Sequence, residues 1–147
     1  MTTSVLTVGN SETSPRRLHI GLWVAQAVLA VLFGLAGAMK AFTPIDQLAH
    51  NMPWVAHAQL LIRFIGYSEL TAMVGLILPS VTRILPQLTP WAATGLLTIM
   101  VLATGFHAVR GEFLELPVTL ALGALAAFVA WGRFRQVPIA ATVLLKF

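Results

Sequence analysis

Cysteine is absent from the 147 residues. That excludes disulfide and thiol redox chemistry, iron–sulfur ligation and cysteine-based zinc sites. Charge is nearly as scarce: 10% of the residues are charged while 58% are hydrophobic. Mean hydropathy is +0.86. A soluble domain of this length needs far more polar surface, so the composition points to the lipid bilayer. The net charge of +4 and the pI near 10.8 would suit nucleic acid. However, the basic residues stand singly between apolar runs, as topology charges do, and no nucleic-acid motif accompanies them.

The apolar residues gather into four segments: about Leu18–Lys40, Leu60–Leu78, Trp91–Ala108 and Pro117–Trp131. Crossing ~30 Å of hydrocarbon takes about 20 helical residues, and the first three segments fit that directly. The fourth is short, at roughly 21 Å, and is expected to recruit Phe113 and Leu114 at the interface. Pro117 falls in its first turn, where a missing N–H is harmless. The stretch SPRRLHIGLW faintly resembles a twin-arginine signal. The apolar run behind it is longer than the roughly 7–15 residues of a signal peptide, so a retained first span is expected. Residues 1–15 are small and polar and read as disordered. The apolar tail 136–147 is too short to span; it is expected to lie along the inner surface or to fold back on the bundle.

With four spans, Arg16, Arg17, Arg83, Arg133, Arg135 and Lys146 share one side of the membrane. Lys40, Arg63 and Arg110 share the other. The positive-inside rule then places both termini in the cytoplasm, and Trp23, Trp91 and Trp131 fall at the same inner boundary. The fold class is therefore an all-α membrane protein, an antiparallel four-helix transmembrane bundle, N-in and C-in. In the outer loop, TPID suggests a short helix with Thr43 as N-cap, Pro44 at its first position and Asp46 at its third. That helix should run to about His50 and stop at Pro53, with Trp54 as a headgroup anchor. Small residues at Ala30, Gly34 and Ala38, and at Gly123 and Ala127, have the spacing that lets helices pack closely.

The polar residues inside the spans carry the functional question. At ~100° per residue, Gln26, Gly37 and Lys40 share a stripe on the first helix. Gly66, Glu69 and Met73 share one on the third segment of helix expected, the second span. Side chains lean toward their own helix's N-terminus, so Lys40 leans down and Glu69 up, and the two should pair. Arg63 lies ~120° from Glu69 and should reach for the headgroups. His107 is placed about 6 Å beneath the outer surface, close in depth to Lys40, Glu69 and Tyr67. A charge at mid-bilayer costs ~2.5–3.5 kcal/mol or more, so Glu69 must be protonated, paired or set against water. Glu69, Lys40, His107, Tyr67 and Gln26 form the candidate pocket or ion-pair set, with Gly66, Gly34 and Gly37 as packing positions. A tether that merely fixes helix register is the competing reading. Haem is disfavoured, because a second axial histidine on a facing helix is missing, and no metal-ligand spacing stands out.

Three stretches, GLAGAMKAF, LIRFIGYSELTAMVGLILP and VLATGFHAVRGE, resemble the DoxX-like family of small four-span bacterial membrane proteins. The resemblance covers roughly Gly21 to Arg135. Gly66 and Glu69 are its most specific part, and Lys40 and His107 match the same pattern. It implies a four-helix bundle in the bacterial inner membrane, with links to quinone-linked redox complexes. Three functions follow as expectations. One is an accessory subunit or small-molecule binder, with quinone as the candidate ligand. The second is a small proton-coupled transporter using Glu69. The third is a non-catalytic interaction or assembly protein, with the polar cluster as tether. The partners expected are a membrane redox complex, to which the first reading is linked, or further copies of the chain.

Overall fold

The computed structural model describes residues 15–142. The stretch expected to be disordered lies outside the described residues except for Pro15, which opens the first helix, and so do residues 143–147. The order is α1 (Pro15–Phe42), α2 (Ile45–Asn51), a 3-10 turn (Pro53–His57), α3 (Gln59–Thr82), α4 (Leu88–Arg110) and α5 (Leu116–Trp131). A π-helical turn, Gly132–Gln136, continues α5.

The long helices α1, α3, α4 and α5 pack as an antiparallel bundle. α1 lies most closely on α3, α4 on α5, and the ring closes through α3 on α4 and α1 on α5. Leu29 and Phe33 of α1, Leu76 of α3, Leu96 of α4, and Ala126 and Val129 of α5 are buried together at the centre. The outward faces are apolar as well: Val31, Leu35, Leu78, Leu102 and Val109 are exposed. Water would penalise such a surface, whereas acyl chains do not. Among the described residues, four helices, the last running from Leu116 to Gln136, are long and apolar enough to cross a membrane.

Local chemistry sets the helix ends. α1 stops at Phe42 because Thr43 precedes Pro44, and a residue before proline is pushed out of the helical region. The expected cap at Thr43 does not form. Pro44 occupies the N-cap position of α2 with no side-chain bond, and the carbonyl of Thr43 is engaged elsewhere, as described below. Trp54, read as a headgroup anchor, packs edge-on against Phe106 with ring centres 5.1 Å apart. It joins Leu48, Val55 and Ile62 in a small apolar cluster at that end of the bundle. α4 ends at Gly111, whose φ of 73° turns the chain, while the N–H of Glu112 reaches back to the carbonyl of His107.

The fourth span is longer than its sequence suggests. The apolar segment is expected to end at about Trp131, yet the chain stays helical to Gln136 in a wider turn. A Cβ on Gly132 would collide with the Leu22 side chain, so glycine is what lets α1 and the turn approach. Beyond it the chain folds back on the bundle, and Thr142 donates its N–H to the carbonyl of Arg83 at 3.0 Å.

Candidate functional site

The first polar site lies where α1 crosses α3. Gly37 and Gly66 face each other there, and a Cβ on either would come within 2.9 Å of the other's carbonyl oxygen. This close approach brings Lys40, one turn beyond Gly37, alongside Glu69. Lys40 Nζ bonds both carboxylate oxygens, at 2.5 Å to Oε1 and 2.7 Å to Oε2. Glu69 is 1% exposed, while the lysine side chain keeps 20% of its surface open at the bundle's edge. Gly34 has no comparable role; its nearest neighbour, Met73, is at ordinary contact distance.

Arg63 corrects its expected role. Rather than reaching for the headgroups, it donates from Nη1 to the carbonyl of Lys40 and from Nη2 to that of Thr43, both at 2.7 Å. The last carbonyls of α1 lack intrahelical donors, and a two-pronged guanidinium suits two of them at once. The backbone of Lys40 is thereby fixed from α3 as firmly as its side chain.

His107 does not join this pair. Its Nδ1 lies 2.7 Å from Glu112 Oε2, and Arg110 Nε donates to the other oxygen at 2.6 Å. α4 is not a close neighbour of α1, and the turn at Gly111 brings Glu112 back over the histidine. The hydrogen bond from Arg110, and then that from His107, hold the Glu112 carboxyl below the usual carboxylate range. Tyr67 shares the depth of the pair but faces outward, half exposed, with its ring edge-on to Phe42.

Gln26 is also placed elsewhere. It shares a stripe with Lys40, but the two are separated by about 21 Å along α1. At the opposite end Gln26 is fully buried at the centre of a second polar cluster. Its Nε2 donates to the carbonyl of Leu76 at 2.8 Å and to Ser80 Oγ at 3.0 Å. Ser80 in turn meets Thr89 Oγ1 at 2.7 Å. Arg133 Nε donates to Gln26 Oε1 at 2.7 Å, so one glutamine ties α1 to α3 and to the end of the fourth span. Pro79 lies inside α3 at this level. It offers no N–H to the preceding turn, and polar side chains from neighbouring helices commonly gather at such breaks. Arg133 Nη1 also approaches His19 Nδ1 at 3.3 Å. The sequence reads Arg133 as a topology charge and gives no sign of Ser80, Thr89 and His19 here. The available signal was Gln26 itself, which needs a partner at its own depth.

A cavity of about 250 Å³ lies between α4 and α5, lined by Leu97, Met100, Val101, Leu120 and the hydroxyl-bearing Thr104 and Thr119. Thr104 Oγ1 donates to Thr119 Oγ1 at 2.9 Å. His107 is not on its wall.

Four apolar helices among the described residues, lipid-compatible outward faces and an ion pair buried at a helix crossing define a multi-pass α-helical membrane protein. The profile of the DoxX-like family matches residues 24–129, and the chain belongs to that family. The matched region takes in Gln26, Lys40, Glu69 and His107 and stops short of Arg133. No curated protein and no solved structure matches the chain.

Proposed function

We propose that this DoxX-like protein is a non-catalytic accessory subunit of a membrane complex, held in the bacterial inner membrane with both termini in the cytoplasm. One observation carries the reading: Glu69 is buried, and both its oxygens are taken by Lys40. A carboxylate that relays protons must change partners and meet water or substrate, and this one is enclosed on both counts. The closed pair therefore favours a register-setting tether over a proton-coupled transporter. A redox complex as the partner follows from the family resemblance. The orientation rests on the five arginines, Arg16, Arg17, Arg83, Arg133 and Arg135, at one end of the bundle. Affinity purification from mild detergent, followed by native mass spectrometry, tests the role. A stable protein partner retained by the Glu69→Gln/Lys40→Met double variant supports it. Proton-driven uptake in vesicles, lost in Glu69→Gln, would overturn it.

Small-molecule binding has its own supporting feature in the α4–α5 cavity. Its mostly apolar walls suit a flat apolar ring such as a quinone's, with Thr119 on the wall beside it. A quinone analogue that stabilises the native protein, but not Thr119→Val, supports that ligand.

A further inference from the structure

We infer that the His19 end of the bundle binds a phosphate-type oxyanion, carried by a phospholipid headgroup or free in solution, with Arg133 as its cation. A long cation in the last turn of a span ordinarily turns out to the headgroups. Arg133 turns inward and is 3% exposed. Its guanidinium lies over the Trp23 ring at 5.4 Å, and Nε is used on Gln26. Nη1 has only a long contact with the carbonyl of Val137, at 3.4 Å, and an approach to His19 Nδ1 at 3.3 Å. Nη2 is buried with no hydrogen-bond partner among the described residues.

The histidine makes the shortage of acceptors worse. Trp23 Nε1 donates to His19 Nε2 at 3.1 Å, so both ring nitrogens face donors. A neutral imidazole accepts at one nitrogen only, and an imidazolium accepts at neither. At least one further N–H in this cluster therefore lacks an acceptor.

Charge tells the same way. Arg16, Arg17, Arg83, Arg133 and Arg135 are at this end of the bundle. The acids among the described residues are Asp46 in α2, Glu69 on Lys40, and Glu112 and Glu115 in the turn at the far end. Arg133 thus has no carboxylate partner among the described residues. Beside it is a cavity of about 120 Å³, walled by Arg133, Gln87, Phe134, Ile139 and three prolines. A water needs at least roughly 10–15 Å³, so a tetrahedral oxyanion fits. The prolines bring no N–H, which leaves Arg133 and the Gln87 amide as the side chains that can donate. An oxyanion there supplies the missing countercharge, and an acceptor for whichever guanidinium N–H turns to it. Its position at the arginine-rich end also matches where anionic headgroups meet basic pockets between helices.

The test uses the full chain purified in a neutral detergent and phosphate-free buffer. Thermal unfolding is followed with inorganic phosphate, with a short-chain phosphatidylglycerol, and with a diacylglycerol of the same chain length. Chloride is added to each control to match ionic strength. At least one phosphate-bearing probe should raise the Tm by about 5 °C at saturation. Its apparent affinity should fall about tenfold or more in Arg133→Met. The same loss is expected in Ile139→Trp, which fills the cavity and leaves the bond between Arg133 and Gln26 intact, so the test stands even if Arg133→Met does not fold. Stabilisation by phosphate alone assigns a free anion; stabilisation by the lipid alone assigns a headgroup. Equal stabilisation by diacylglycerol, binding that survives Ile139→Trp, or no stabilisation by any probe would overturn the site.

Discussion

Gly37 and Gly66 meet backbone to backbone, with no room for a Cβ on either side. A Cβ on Gly66 would also lie 2.7 Å from the backbone nitrogen of Ala41, so relief would require moving a helix. Everything at the Lys40–Glu69 site depends on that approach. Gly66→Ala should lower stability by about 1–3 kcal/mol, as overpacked contacts do, and Gly37→Ala should behave alike. Gly34→Ala meets only a flexible methionine and should be near neutral. Thermal unfolding of the three variants in one detergent decides it.

Breaking the ion pair should be asymmetric. Lys40→Met strands a fully buried carboxylate and is expected to destabilise by about 3 kcal/mol. Glu69→Gln should cost less, because Lys40 lies at the bundle's edge and can swing toward water. The double variant should recover much of the loss. A double-mutant cycle measured by reversible unfolding would reveal the coupling, and strictly additive losses would refute it.

The clamp from Arg63 predicts a local effect. Arg63→Ala removes two charge-assisted bonds from the end of α1 and should cost about 2 kcal/mol. Hydrogen exchange should quicken around residues 40–45 while the centre of the bundle stays protected. Arg63→Lys, with a single-point donor, should fall between the two.

Acid should loosen the far turn through Glu112. Its carboxyl is held below the usual range by Arg110 and then His107, so the unfolded chain takes up a proton more readily than the folded one. The stabilisation is complete above the ordinary carboxyl pKa of about 4.3 and is lost as pH falls through the lower folded value. Wild type should therefore exceed Glu112→Gln in Tm at neutral pH, and the two curves should converge in acid. Parallel curves down to pH ~3 would contradict the assignment.

What could be read in advance separates along a physical line. The meeting of Lys40 with Glu69 followed from helix direction, rise per residue and side-chain lean, all local properties of one chain. Gln26 went astray because a shared stripe fixes azimuth and not depth. His107 was at the right depth, but which helices are neighbours in the ring is decided by packing, and α4 does not lie beside α1. Arg133 was missed for a third reason. A cation after an apolar run looks like a terminator, whereas the helix here continues through Gly132, packed on Leu22, and Arg133 bonds Gln26.

The bond from Arg133 to Gln26 spans 107 positions of the chain. During synthesis α1 is made early, whereas the donor for the Gln26 carbonyl oxygen arrives only as the fourth span is finished. Until then the nascent bundle holds this buried side-chain oxygen near one end of α1 without its eventual mate. The last helix therefore acts as the closing stitch, and chains halted before it would leave the insertion machinery with a polar seam open.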